Sequence, residues 1–188
     1  MKYALLFVAL SLTPIWGKHV SKKSGTLIPR PIVAPIMDGS VYADSIPSTL
    51  EEVSKGIAVS YIPTSFQGYL MTGNRTHLRS VRKIRVWELV RPVMDENIVA
   101  AIGEPYTVSI AEFWSILWKQ GHGQGLDLLA IDGTWNIFFI PDDGGHVWRV
   151  RLSWEQKVVG SGWNFDIESP RHNYVRKPGE RIIAPLPY

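Results

Sequence analysis

Within Val147 to Trp154, apolar and polar side chains alternate at every step from Trp148 onward, and few patterns restrict a fold more tightly. Trp148, Val150, Leu152 and Trp154 share one face of an extended chain, and Arg149, Arg151 and Ser153 share the other. A period of two residues is that of a β-strand with one face on a core and one in water. The same rhythm recurs after Gly160 and Gly162, where Trp163, Phe165 and Ile167 alternate with Asn164, Asp166 and Glu168. Upstream, Trp135 to Ile140 (WNIFFI) reads as a further strand. Asp132-Gly133 and Asp142-Asp143-Gly144-Gly145 supply the turn residues around it, so this stretch is predicted to be an antiparallel meander that Pro170 ends.

Ahead of the meander lies one segment of helical period. Ile110, Phe113, Trp114, Leu117 and Trp118 recur at three- and four-residue spacing. Ser109 and Glu112 stand where a capping box needs them, and Gly121 stops the helix before the loop Gly121 to Gly125. A second capping pattern, Ser48-Thr49-Leu50-Glu51, predicts a short helix to about Lys55, closed by Gly56. Strands are expected over Ile57–Ile62 and Arg82–Val90, with Ile84, Val86 and Val90 on one face. Thr64 to Asn74 reads as a loop or irregular hairpin, and Asp95–Ile102 fits strand and helix equally well. The expected fold is α+β: an amphipathic helix packed on a C-terminal antiparallel β-meander, helix on one face of the sheet.

Both ends carry proline at short intervals. Thr26 to Ile36 (TLIPRPIVAPI) holds Pro29, Pro31 and Pro35, which remove backbone donors and exclude a helix or a central strand. Leu27, Ile28, Ile32, Val33 and Ile36 are too apolar for an inert linker, so this arm is expected to lie on a surface supplied by a partner. Pro170, Pro178, Pro185 and Pro187 give residues 170–188 the same character. At the start, Met1-Lys2, the apolar run Ala4–Leu12 and the small residue Gly17 have the layout of a secretory signal peptide, and the run is shorter than the ~20 residues of a membrane span. The chain is thus divided into a signal peptide (1–17), an extended arm (18–47), an α+β domain (48–169) and a C-terminal arm (170–188). The mature protein is expected in the periplasm or secreted.

Composition bounds the chemistry. The 188 residues include no Cys, which excludes disulfides, thiolate nucleophiles and thiolate metal sites. An exported chain without Cys suits a bacterial periplasm, and a domain of this length can stand on hydrophobic burial alone. Asn74-Arg75-Thr76 matches the N-glycosylation tripeptide, a pattern frequent by chance. A net charge of +3 does not suggest nucleic acid as a partner.

His19, His77, His122, His146 and His172 are scattered, and Asp142, Asp143 and His146 are better explained by turn chemistry than by a metal. No metal or cofactor is expected, and no catalytic residue is assigned: there is no G-x-S-x-G, and no phosphate loop sits between a strand and a helix. Eight Trp side chains supply mostly core area. The binding candidates are Arg75, Arg79, Arg82, Lys83, Arg85 and Trp87, basic residues interleaved with an aromatic, which suit an anionic glycan or lipid surface. The arms point to a non-enzymatic structural or assembly component of the bacterial envelope (a secretion, conjugation or pilus-type complex) with protein partners or self-assembly. The Trp content and the basic stretch point alternatively to a wall-polymer or glycan-binding module, with or without hydrolase activity.

Overall fold

The computed structural model describes residues 31–42, 47, 49–71, 81–123, 128–169 and 174–186. The signal peptide and the first part of the arm, including Leu27 and Ile28, lie outside the described residues. So do Ser48, Asn74, Arg75 and Arg79.

The described chain is a mixed α+β structure with four short helices around a large sheet. Its strands are β1 (Val33–Tyr42), β2 (Val59–Tyr61), β3 (Val81–Leu89), β4 (Val93–Met94), β5 (Asn136–Pro141), β6 (Val147–Glu155), β7 (Gly162–Glu168), β8 (Val175–Arg176) and β9 (Arg181–Pro185). The helices are α1 (Leu50–Gly56), α2 (Thr64–Phe66, continued by a π-helical turn at Gln67–Met71), α3 (Asp95–Ile102) and α4 (Ile110–Lys119). The seven-stranded sheet runs in the order β1-β3-β9-β5-β6-β7-β2, and β4 and β8 form a separate two-stranded ribbon. Pairing is antiparallel except between β9 and β5 and between β7 and β2.

Local chemistry accounts for most of these elements. Ser109 caps α4 in both directions: its hydroxyl accepts from the Glu112 amide at 3.2 Å, and its own amide donates to Glu112 Oε2 at 2.7 Å. In α1 the cap falls one residue later than expected, at Thr49, whose hydroxyl accepts from the Glu52 amide. Asp95–Ile102 resolves as a helix, with Asp95 and Glu96 in its first turn beside the positive end of the backbone dipole.

The sheet is covered on both faces. On the first, Phe113 of α4 meets Phe138 of β5 at 5.1 Å between ring centres, and Trp114 meets Phe165 of β7 at 6.1 Å. Ile84, Val86, Val150, Leu152, Trp163 and Ile183 complete that core. Ala111 to Leu117 are all buried, so α4 is enclosed on every side over two turns. Trp148 is only partly buried, and its ring stacks on Tyr69 at 4.3 Å. On the second face, Val33, Leu89, Val93, Ile98, Ile137, Phe139 and Ile182 form a smaller core beneath α3. Strand β5 feeds both cores with successive residues, which explains its unbroken apolar run.

Several expectations differ from this architecture, beginning with Thr64–Met71, which is helical where a loop or irregular hairpin was expected. The proline-bearing segments contribute strands from Val33 to Tyr42 and from Arg181 to Pro185. Pro35 is tolerated because β1 is an edge strand with a register shift between Pro35 and Met37, and Pro185 because it is the last residue of β9. Strand β9 is an inner strand, and its Ile182, Ile183 and Ala184 are buried. Nor is the polar face of β6 solvated along its length, for Arg149 and Ser153 are buried.

Candidate functional site

Among the described residues, those singled out by sequence do not converge on one site. Among the basic group, Arg82 lies 3.6 Å from the buried carboxylate of Glu112. Arg85 is bound by Asp38 of β1 through two hydrogen bonds, of 2.5 and 2.8 Å, and lies over the Trp87 ring at 5.4 Å. This pairing holds the Asp38 carboxyl below the usual carboxylate range. Lys83 is exposed and Trp87 partly buried against the second core. In the arm, Ile32 packs on the same core, Val33 is buried, and Ile36 stays 42% exposed. Asp142 does turn chemistry, accepting from the His146 amide and from Trp148 Nε1 at 2.8 and 2.9 Å. No group of three metal-ligating side chains occurs among the described residues.

What the sequence reading missed is a polar stripe along the second face of β6 and β7. Ladder pairing sets Arg149 opposite Glu168, Arg151 opposite Asp166 and Ser153 opposite Asn164. At one end the stripe is roofed. Asp95, from the first turn of α3, contacts Arg149 and takes Arg176 Nε at 2.8 Å, while Glu168 contacts Arg176 and lies 2.9 Å from Arg151. Tyr174 lies over both Arg149 and Arg176. Burial and the neighbouring Arg176 lower the affinity of the Arg149 guanidinium for its proton. Glu180 sits beside this cluster, and burial pushes its carboxyl above the usual range. Three guanidinium groups against four carboxyl groups form a nearly balanced network that ties β8 and α3 to the sheet. Beside it a pocket of about 280 Å³ opens between Asp95, Arg149, Val99, Tyr106 and Phe139.

At the other end the stripe is open. Glu155 of β6 accepts from the Ser60 hydroxyl at 2.7 Å, from Lys157 Nζ at 2.8 Å and from Asn164 Nδ2 at 2.9 Å. Lys157 Nζ also donates to Ser60 Oγ at 2.5 Å. These hydrogen bonds, Lys157's foremost, hold the Glu155 carboxyl below its ordinary value. Ser60 reaches the group because β2 lies tight against the start of β7. A Cβ on Gly162 would stand 2.8 Å from the backbone of Val59 and Ser60, so only glycine admits the approach. Tyr61 and Trp135 join these residues around a cleft of about 530 Å³.

No family model matches this chain, and no curated protein or solved structure does. The geometry must therefore carry the functional reading unaided. No described helix is long and apolar enough to cross a membrane.

Proposed function

We propose that the chain is a non-enzymatic structural or assembly component of the bacterial cell envelope, of the secretion, conjugation or pilus kind, and that it meets its partner along the outer edge of β1. The observation that carries this reading is β1 itself. It is ten residues long, and among the described residues it pairs only with β3. A long sheet edge offers unpaired backbone groups to another strand; the proline and the register shift that interrupt this one are confined to Pro35–Met37, and pairing with β3 is regular from Met37 to Tyr42. Ile36 lies on this edge strand and is exposed, and Val81, opposite Tyr42 at the far end of the ladder, is 68% exposed. The signal-peptide layout and the absence of Cys support an envelope address.

A photo-crosslinking side chain at position 36, introduced into the protein in its producing cells, tests the reading. The expected result is a discrete adduct with a second copy or another envelope protein. Ile36→Lys, which places a guarding charge on an exposed position, is expected to abolish assembly without lowering the melting temperature. Absence of any adduct from position 36, together with unchanged assembly of Ile36→Lys, overturns the proposal.

A further inference from the structure

We infer that the cleft between Tyr61 and Trp135, floored by Glu155, Lys157, Asn164 and Ser60, binds a neutral oligosaccharide. This rests on side chains that the assembly reading does not use, so either can fail without the other. The first argument is the stock of unspent hydrogen-bonding capacity. A carboxylate offers about four lone-pair sites, and Glu155 uses three of them on Ser60, Lys157 and Asn164. An ammonium carries three donors, and Lys157 spends two, on Ser60 and Glu155. The Asn164 amide keeps its carbonyl oxygen and a second N–H beyond the bond that it gives Glu155. Spare acceptors and spare donors therefore alternate within one small patch. That is what a pair of adjacent sugar hydroxyls requires, since each hydroxyl donates once and accepts from a neighbour.

The second argument is rigidity. Four side chains from β2, β6, β7 and the turn after β6 hold one another before any ligand arrives, so little ordering cost is left for binding. The third is the walls. Tyr61 is 58% exposed, and Trp135 is partly exposed, with the Arg151 guanidinium 4.7 Å from its ring centre. An exposed aromatic ring, that of Tyr61, beside fixed polar groups matches the two sides of a pyranose, whose C–H face is apolar and whose rim is hydroxylated. The fourth argument is charge. Glu155 is matched by Lys157, and Asp166, on the same wall, is matched by Arg151. Arg151 also serves Glu168, so among the described residues the cleft has no cation in excess to call for an anionic ligand, and a neutral sugar fits it best.

The test presents the full chain to an immobilised array of neutral, N-acetylated, uronic and sulfated oligosaccharides, with each hit titrated by calorimetry. At least one neutral or N-acetylated oligosaccharide is expected to bind saturably. Tyr61→Ala and Asn164→Ala should each weaken it about tenfold or more. Tyr69→Ala removes an aromatic that stacks on Trp148, outside the cleft, and should leave the affinity unchanged. Tyr61 is exposed, so its variant folds even if Asn164→Ala does not. A blank array, binding confined to uronic or sulfated sugars, or a hit that survives Tyr61→Ala at full affinity overturns the inference. Ile36→Lys should bind the sugar as the parent does.

Discussion

Strands β6 and β7 carry charged and amide side chains at both ends of one face, and the two ends have become different things. At the Arg149–Glu168 end, α3, β8 and Tyr174 cover the charges, and each guanidinium is held by a carboxylate of another element. At the Glu155–Asn164 end nothing described lies above them. Lys157 keeps half of its side-chain exposure, and Glu155 about a third. The residue types are alike, so the difference is made by what the rest of the chain lays on top. Buried ions must find partners, because water no longer solvates them, and such a cluster specifies an arrangement more than it stabilises one. Exposed ions keep their contact with water and gain little from pairing, so their remaining donors and acceptors stay open to a ligand.

The largest effect should come from opening the covered end. Asp95→Ala leaves Arg149 and Arg176 facing each other in a buried site, and a loss of about 3–5 kcal/mol is expected from chemical denaturation. An unchanged denaturation midpoint would show that water reaches the cluster, and the contrast between the ends would disappear.

A smaller, pH-dependent effect should follow from Glu180. Burial raises its carboxyl pKa, Glu168 adds to that, and Arg176 and Arg151 oppose it. The protonated form is therefore the one that the fold favours. Its contribution is complete below the ordinary carboxylate pKa and is lost as pH rises through the raised value. Glu180→Gln imitates the protonated form. It should melt with the parent at pH 4 and above it at pH 8, and a parent that gains on the variant with rising pH would reverse the assignment. The smallest effect belongs to the open end: Lys157→Met should leave the melting temperature unchanged. A marked fall would mean that the cleft residues are structural after all.

Legibility in the sequence followed range. Ser109 and Glu112 announce their cap because partner and target are three residues apart. Asp132 does the same for its turn, accepting from the Thr134 amide. The alternation in β6 shows which residues share a face, but not that both faces are covered. Arg149 looks like a solvent residue until Asp95 and Arg176 arrive from distant parts of the chain. The cleft was hidden for the same reason, since Ser60 and Glu155 are 95 residues apart. Strand β9 was the hardest to foresee. Its five residues are short and bounded by prolines, and their place between β3 and β5 depends wholly on long-range pairing.

That place has a consequence in the order of synthesis. Residue 84 is paired with residue 185, so β3 leaves the ribosome about a hundred residues before its neighbour exists. Until then β1 and β3 on one side, and β5, β6 and β7 on the other, are two half-sheets with facing raw edges. Such pairing closes late, because the connecting loop must be ordered before any contact rewards it. A nascent chain stopped short of β9 is therefore no smaller version of the protein but two sticky fragments on one thread.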